Sequence, residues 1–317
     1  MKKTLISSAV ILVFSMLSFA ADIQVLTGSD ISGRYLGIDI GARSAGMGNA
    51  IVTLSKGAEA IFGNPANSTQ PDNRNSFLIS HNSWLADTFQ ETAAYAIGLK
   101  GLGTFGIGIS YMNEGNIEAY QSDPSGNNPV KIPDINPYVM LVKVNWSGAV
   151  LKELQVGINL DHSTEKIGSS TNQSIGVDLG VRYKPDALKG ISFGVVARNI
   201  GRDMAGYDLY RDLLMGAGYE LNMKQSGNLN LGADFGMLYD GHFKISEKYK
   251  ASIGAEYVYA GMYMARIGYE LDNTESDGLT GLRAGLGLKL DIFSIDYAFE
   301  PYGNVGVSNK ISMGLNF

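Results

Sequence analysis

The fold class of this chain is decided by the stretch Ser308-Asn309-Lys310-Ile311-Ser312-Met313-Gly314-Leu315-Asn316-Phe317. Ile311, Met313 and Leu315 alternate with polar or small residues, and Phe317 continues the apolar phase. A period of two residues places these apolar side chains on one face of an extended chain. The sequence therefore predicts that the chain finishes on a β-strand with one apolar and one polar face.

Both ends of the chain point to a bacterial outer membrane. Lys2 and Lys3 precede an apolar stretch, residues 5–17, that is too short to span a bilayer, and Ser18-Phe19-Ala20 has the pattern of a cleavage site. These features predict a secretory signal over residues 1–20. The terminal aromatic residue resembles the signal by which outer-membrane barrels are recognised for assembly. We therefore expect outer-membrane lipid as the solvent, the barrel assembly machinery as a partner, and Phe317 as the assembly signal.

Composition excludes several kinds of site and partner. The absence of cysteine excludes disulfides, thiolate metal sites and cysteine nucleophiles. Removing Lys2 and Lys3 from the 25 basic residues leaves 23 against 31 acidic ones, a net charge of −8 that gives no support to nucleic-acid binding. After the predicted signal, no segment has the roughly 18 consecutive apolar residues of a membrane helix. The 40 glycines and 17 tyrosines favour a large β structure instead.

Alternating segments of strand length follow one another from about residue 76 onward. An even number of strands, each about ten residues long, is typical of a bacterial transmembrane barrel. Connections after even-numbered strands are short and those after odd-numbered strands are longer, as expected for periplasmic turns and extracellular loops. A soluble sandwich or propeller is the alternative. The sequence predicts an all-β fold, an antiparallel transmembrane barrel of about fourteen strands, near 76–83, 91–100, 103–112, 137–146, 152–163, 172–183, 190–199, 209–221, 228–240, 249–259, 262–271, 280–290, 292–300 and 308–317.

The two faces of these strands differ in a way that suits lipid outside and a polar lumen inside. In the sixth strand, Ile175, Val177 and Leu179 alternate with Asp178 and Arg182 and with glycine. With the apolar face outward, aromatic residues gather near the strand ends, where amphipathic rings prefer the headgroup level. The two predicted girdles are Trp146, Tyr183, Tyr219, Tyr257, Tyr259, Tyr263 and Phe317 on one rim, and Tyr111, Tyr138, Tyr239, Tyr269 and Phe299 on the other.

The segment ahead of the barrel, residues 21–75, is rich in small residues and does not alternate. Ser55 is a candidate N-cap for a short helix over residues 58–62, which Gly63 and Pro65 would end. Because fourteen strands enclose more volume than an eight-stranded barrel can fill with side chains, something should occupy the lumen. We therefore divide the chain into a signal peptide (1–20), an N-terminal plug or hatch (21–75) and a transmembrane barrel (76–317).

Two motifs in the predicted hatch resemble a known family. Gly41-x-Arg43-x-x-Gly46-Met47-Gly48-x-Ala50 is followed by Ala60-Ile61-x-x-Asn64-Pro65-Ala66. This pairing is similar to the start of the PorV/PorQ family, within the wider FadL-like group of fourteen-stranded outer-membrane barrels. The resemblance implies an accessory role in type IX protein secretion, with secretion-system components as partners. The alternative that it implies is a FadL-like passive transporter, with hydrophobic small molecules as ligands.

Enzyme motifs find little support. Gly101-x-Gly103-x-x-Gly106 has the spacing of a dinucleotide fingerprint but lies in a turn between strands, with no helix to offer its N-terminus. Gly190-x-Ser192-x-Gly194 matches a nucleophile elbow but opens a strand, and no histidine pairs with Ser192 in sequence to support a lipase. His81, His162 and His242 have no metal-ligand spacing. The sequence predicts no enzyme, no cofactor and no metal.

Charged residues on the inward face offer two interpretations. They could brace the barrel and hold the hatch, with Arg43 reaching one of Asp178, Asp234 and Glu256, or they could form a charged constriction that selects permeants. Inward glycines could leave room beside the wall or permit lateral gaps. The predicted inward charges are Lys143, Arg182, Arg198, Arg266, Arg283 and Lys289, facing Asp161, Asp178, Glu220, Asp234, Glu256, Glu270 and Asp296.

Overall fold

The computed structural model describes residues 31–71, 74–122, 129–241, 245–272 and 280–317. The predicted signal peptide, residues 1–20, lies outside this range. The described strands are, in chain order, β1 (Ile31–Ser32), β2 (Asn75–Ser83), β3 (Phe89–Leu99), β4 (Gly103–Asn113), β5 (Ile117–Gln121), β6 (Val130–Ile135), β7 (Tyr138–Leu151), β8 (Leu154–Ile167), β9 (Ser170–Tyr183), β10 (Ile191–Gly201), β11 (Asp208–Leu209), β12 (Asp212–Asn222), β13 (Asn228–Tyr239), β14 (Ile245–Tyr259), β15 (Tyr263–Asp272), β16 (Leu282–Leu290), β17 (Phe293–Pro301) and β18 (Val307–Asn316).

Fourteen of these strands close into one antiparallel barrel, which confirms the predicted fold class. The order around the barrel is β2-β3-β4-β7-β8-β9-β10-β12-β13-β14-β15-β16-β17-β18. β18 then pairs with β2, with Met313 opposite Ile79. Every neighbouring pair is hydrogen-bonded, so the wall has no free edge between strands. The lateral gap that inward glycines could permit is therefore not formed in this closed wall.

The barrel has an apolar outer face and a polar inner face, as the alternation predicts. On β9, Ile175 is 59% exposed and Leu179 is 49% exposed, whereas Asp178 between them is fully buried. The same pattern on β17 exposes Ile295 and Phe299. Burying polar groups inside and leaving large apolar side chains outside is the arrangement that a lipid environment requires. Tyr239 departs from the predicted girdle, because it is buried at the end of β13, where the register with β14 shifts.

The connections differ from prediction in three places. The predicted loop over 164–171 shrinks to residues 168–169, because β8 and β9 continue as a paired hairpin and Gly168 adopts a positive φ of 58°. The predicted turn over 147–151 is strand, since β7 runs to Leu151. The predicted loop 113–136 contains the β5–β6 hairpin. We call the end of the barrel with the 24-residue connection between β4 and β7 the long-loop end, and the opposite end the short-turn end.

Residues 31–71, which we call the inner segment, pack along the inner side of the barrel wall. Their helix α1 (Ala42–Gly46) contacts β15 to β18, and two 3₁₀ helices, Gly57–Ile61 and Pro65–Ser68, contact β2 to β4 and β7 to β9. The predicted cap is wrong: Gly57–Ile61 has no side-chain cap, and the Ser55 hydroxyl instead accepts a hydrogen bond from the Asn67 side chain at 2.9 Å. Within the described ranges, no helix is long and apolar enough to cross a membrane.

The inner segment is anchored by small apolar clusters rather than by one large core. Ile40, Ile61 and Phe62 pack with Leu78 and Leu141 of the wall. Ala42 and Ala45 of α1 pack on Ala298 of β17, and Met47, Ile51 and Leu54 form a third cluster. Burying these side chains contributes to holding the segment. Hydrogen bonds and ion pairs with the wall add to these clusters.

Candidate functional site: the lumen and its inner segment

Inward glycines of the wall allow the backbone of the inner segment to approach closely. A Cβ atom added to Gly268 would lie 2.1 Å from the carbonyl carbon of Met47, and one added to Gly254 would lie 2.1 Å from the Met47 oxygen. Gly46 also lies close to Gly285, with 3.0 Å between its added Cβ and the Gly285 Cα. The room that these glycines leave is therefore filled by main chain.

The inner segment itself needs glycine at two of the motif positions. Gly41 precedes α1 with a φ of 99°, and Gly48 follows it with a φ of 60°, conformations that other residues rarely adopt. A Cβ atom on Gly48 would also lie 2.6 Å from the Tyr269 nitrogen. Met47, between them, is completely buried. The Gly46-Met47-Gly48 stretch thus fits a site where main chain runs directly against the wall.

Arg43 is the charged contact between α1 and the wall. Its Nε and Nη2 atoms each donate to Glu256 at 3.0 Å, and Nη1 donates to the Leu54 carbonyl at 2.9 Å. Glu59 lies 3.5 Å from the same guanidinium. Burial alone lowers the pKa of Arg43, but the neighbouring Glu256 and Glu59 outweigh burial and hold the pKa above its ordinary value. Of the three wall carboxylates that we considered for Arg43, the structure selects Glu256.

Glu256 also binds a wall arginine, so the cluster continues along the inner face of the wall. Arg266 donates through Nε to Glu256 at 2.6 Å and through Nη1 to Asp296 at 2.7 Å. Asn230 donates to the other Glu256 oxygen at 2.8 Å. Glu256 and Arg266 are both at most 5% exposed. Two cations sharing a fully hydrogen-bonded carboxylate make this a structural brace between β14, β15, β17 and α1.

Asp234 and Asn64 bind the main chain of the inner segment. Asp234 accepts from the Val52 nitrogen at 2.8 Å. Asn64 accepts from the Ala66 nitrogen at 3.1 Å, which caps the helix that begins at Pro65. Its amide nitrogen donates to the carbonyl oxygens of Val52 at 3.0 Å and of Val181 at 3.1 Å. Asn64 therefore joins two parts of the inner segment to β9.

Asp178 organises a second buried cluster on β7 to β10. It accepts from Lys143 at 2.6 Å, from Asn159 at 2.8 Å and from the Asn199 main-chain nitrogen at 2.8 Å. Asn199 has a φ of 58° within the irregular register between β9 and β10. Asn159 also donates to the Ile61 carbonyl at 2.7 Å. This cluster therefore holds the inner segment at Ile61, on the side of the barrel formed by β7 to β10.

The remaining predicted arginines lie near the two ends of the lumen. Arg198 pairs with Asp212, and its Nη1 lies 3.4 Å from the Phe62 carbonyl. Arg283 Nε lies 3.2 Å from Oε2 of Glu300, and the Arg283 Cζ atom lies 4.8 Å from the centre of the Tyr302 ring. Arg182 contacts Glu220 at 3.5 Å at the short-turn end. The charges thus form separate clusters along the lumen rather than one ring.

A cavity of about 200 Å³ lies at the long-loop end, between the inner segment and the wall. Leu214 and Leu238 of β12 and β13 line one side, whereas Glu270, Arg283 and Lys310 of β15, β16 and β18 line another. The inner segment contributes Gly37, Ile38 and Asp39, and the aromatic lining residues include Trp84, Tyr210 and Tyr302. Asp212 of β12, which stands opposite Leu238, also lines the cavity, so the lining combines aliphatic and charged side chains.

A second cavity, of about 280 Å³, lies at the short-turn end. Its lining is polar and joins residues of the inner segment to residues at the ends of β8, β9 and β12. The lining residues are Lys56, Gly57, Asn67, Thr69, Gln70, Gln155, Arg182, Lys184 and Glu220. The inner segment therefore separates two cavities of different chemistry.

The other sequence candidates lie apart from these cavities. His81 is on the outer face of β2, where it pairs with Glu91 at 2.7 Å, and His242 lies outside the described residues. Ser192 is buried next to Gly218. Phe317 is about half exposed, and its main chain exchanges two hydrogen bonds with Asn75. Among the residues that the structure describes, no group of three or more histidines, cysteines or acidic residues could hold a metal.

Known structures with the same architecture are outer-membrane barrels. The Pseudomonas putida toluene transporter TodX aligns with a TM-score of 0.60 and 13% identity, covering 93% of this chain and 99% of TodX. The Ralstonia pickettii toluene transporter TbuX aligns with a TM-score of 0.56 and 14% identity, covering 88% and 97%. These neighbours are FadL-family barrels, and this chain shares their fold. They are channels and transporters rather than enzymes.

Sequence comparison adds no nearer relative. No protein-family model matches the chain. No curated protein matches it either. Membership of the PorV/PorQ family, which residues 41–66 suggest, therefore stays a prediction.

Proposed function

We propose that this protein is a passive transporter for hydrophobic compounds across the outer membrane. The observation that carries the proposal is the cavity at the long-loop end, enclosed in a barrel that shares its fold with two toluene transporters. Leu214, Leu238 and Ile38 offer a ligand apolar surface, and the ring of the buried Tyr210 extends it. A concave, partly apolar cavity with a few polar groups is the usual form of a small-molecule site.

The inner segment gives such a transporter a gate. It lies between the two cavities and contacts strands on opposite sides of the barrel. A compound entering from the long-loop end would meet Ile38 and Asp39 before it reached the short-turn end. Its passage then requires a shift of the inner segment, which the small apolar clusters and polar contacts would permit more readily than one large core.

The test is uptake of a radiolabelled monoaromatic hydrocarbon by cells with intact lipopolysaccharide that express the protein. Leu238→Trp places a large ring in the cavity and should reduce uptake to the rate of cells lacking the protein. Leu231→Trp is the matched control, because Leu231 lies on the same strand but is 38% exposed on the outer face. Uptake that is equal in the wild type, in Leu238→Trp and in cells without the protein would contradict the proposal.

A secretion-accessory role of the PorV/PorQ type is the second candidate. Its support is the resemblance of the motif over residues 41–66; in the structure Gly41, Arg43 and Asn64 of that motif seat the inner segment. Its test is the set of proteins released by a deletion strain. Loss of proteins with a C-terminal sorting domain from the cell surface would favour this candidate, whereas an unchanged set would exclude it.

A further inference from the structure

Three cations converge on one carboxylate at the short-turn end. Lys56 of the inner segment lies 3.7 Å from Oε1 of Glu220, and Arg182 lies 3.5 Å from the same oxygen. Lys184 lies 3.2 Å from Oε2. One carboxylate neutralises only one of these charges. About two positive charges therefore face the cavity without a compensating anion among its lining residues.

The rest of the lining does not balance this positive charge. Glu220 is the single acidic residue among the described residues that line the cavity. Of the neutral members, Gln155 accepts a hydrogen bond from Arg182 at 3.4 Å, and the Asn67 amide already donates to the Val52 carbonyl and the Ser55 hydroxyl, so the main donors available to an anion are those of the three cations. Arg182 is 14% exposed, and its Nε atom is buried with no hydrogen-bond partner among the described residues. A buried donor without a partner is costly, which favours a ligand or solvent oxygen at this position.

We propose that the short-turn cavity binds the anionic group of a small ligand, a carboxylate or a phosphate. A guanidinium and two ammonium groups around one space are the donors that such anions require. Lys56 belongs to the inner segment, whereas Arg182 and Lys184 belong to the wall and the turn after it. A bound anion would therefore bridge the inner segment to the barrel. This inference concerns the cavity opposite to the proposed entry site and does not depend on the proposed function.

The alternative is a solvated basic rim with no ligand. Lys56 is 62% exposed and Lys184 is 45% exposed, so both side chains could be satisfied by water. The two interpretations differ in what removal of Glu220 does. If Glu220 competes with a ligand for the three cations, its neutralisation strengthens anion binding. If the cluster is only structural, neutralising Glu220 weakens the affinity for anions or leaves it unchanged.

The experiment is isothermal titration calorimetry on the full-length protein in neutral detergent at low ionic strength. The probes are inorganic phosphate and octanoate, each corrected by titration into empty micelles. Glu220→Gln should tighten binding by about threefold or more, and Lys184→Gln should weaken it by a similar factor, as expected for one partly exposed charge. Lys152→Gln is the matched control at the same end, because Lys152 is 83% exposed and pairs with Asp186 outside the cavity.

The outcomes separate the sources of the anion. Binding of phosphate alone would indicate a polar phosphate ligand. Binding of octanoate alone would indicate an acidic amphiphile. Either result supports the proposal if Glu220→Gln and Lys184→Gln shift the affinity in opposite directions. Absence of binding by either probe would overturn it, as would equal affinity in Glu220→Gln and the wild type. Heat-modifiable migration checks that each variant is folded, and Lys184→Gln, at an exposed position, keeps the test valid if Glu220→Gln misfolds.

Discussion

Arg43 and Glu256 join the inner segment to the barrel wall through two hydrogen bonds of 3.0 Å each. The ion pair is bidentate, and the Glu256 side chain is only 3% exposed. The same carboxylate accepts from Arg266, so the contact belongs to a network that reaches Asp296. Removing Arg43 would leave Glu256 with one cation instead of two and would take from Glu59 the cation that lies 3.5 Å away, which makes Arg43 a principal charged anchor of the inner segment.

We expect Arg43→Ala to loosen the inner segment. Breaking a buried ion pair costs about 3 kcal/mol or more, and the free energy of opening should fall by that order. Native-state proteolysis of the purified protein measures this opening through the rate of cleavage within residues 31–71. Arg43→Lys should be intermediate, because lysine keeps the charge but not the two-pronged geometry. A cleavage rate unchanged in Arg43→Ala would contradict the bracing role.

Deletion of residues 41–66 should open the lumen. These residues include α1 and most of the contacts with the inner wall, whereas the fourteen barrel strands begin only at Asn75. The shortened protein should still assemble and show heat-modifiable migration, and it should conduct small ions in planar bilayers. Conductance at the wild-type level would show that the segment does not close the lumen.

We expect Gly268→Ala to displace the inner segment from the wall. The added methyl group would lie 2.1 Å from the Met47 carbonyl carbon, and overpacking of this kind costs about 1–3 kcal/mol. Gly176→Ala is the matched control, since its nearest neighbour would be the Asn199 Cα at 3.5 Å. The midpoint of urea unfolding in detergent should fall for the first variant and change little for the second. Equal midpoints would contradict the close approach.

The stability of the seated segment should depend on pH through Asp39. Burial, and then the nearby Glu270, raise the pKa of Asp39 to about 6, above its ordinary value. The folded protein therefore binds the proton more tightly than the unfolded chain, so the contribution of Asp39 to stability is most favourable below about pH 4 and falls as pH rises toward 6. Asp39→Asn removes this penalty and should raise the melting temperature at pH 7 but not at pH 4.

Asp87→Asn is the control for this pH effect, because Asp87 is exposed in the turn after β2. The measurement is thermal melting of both variants and the wild type in detergent between pH 4 and pH 8. A difference between Asp39→Asn and the wild type that is the same at pH 4 and pH 7 would contradict the assignment to Asp39.

Loop length predicts which end of the barrel faces the medium. An epitope tag within 113–136, the connection that contains the β5–β6 hairpin, should bind antibody on intact cells. A tag within 184–189, at the short-turn end, should bind only after the outer membrane is permeabilised. Accessibility of the second tag without the first would reverse the orientation, and would place the long-loop cavity on the periplasmic side.

The barrel strands can be predicted from the sequence because the alternation that defines them involves only neighbouring residues. The alternation around Ile175 and Ile311 assigns both the strand and its outward face, and neither assignment needs knowledge of a distant residue. The prediction fails where pairing extends beyond the apolar pattern. Residues 164–167 carry mostly polar side chains that resemble a loop, yet they continue the β8–β9 ladder because their partners on β9 are equally extended.

In the candidate site, too, some features are predictable from the sequence and others are not. Sequence alone identifies Arg43 as an isolated charge among small residues and Asn64-Pro65 as a turn, because propensity and capping chemistry are properties of neighbouring residues. It predicts Arg182 and Glu220 as inward charges but assigns no role to Lys56 or Lys184. The meeting of these four side chains has no sequence signal other than the inward phase of Arg182 and Glu220 on their strands.

The two-residue period of the sequence is enough to predict the strands, the apolar exterior and a closed wall, since a spanning sheet must satisfy its own hydrogen bonds. The contact of Arg43 with Glu256, 213 residues away, rather than with Asp178 or Asp234, follows from the three-dimensional arrangement of the strands. The tertiary structure also decided that the inner segment leaves an amphipathic cavity at one end and a basic one at the other. The physical reason is that barrel closure sets the register, and the register sets which inward side chains stand beside each residue of the inner segment.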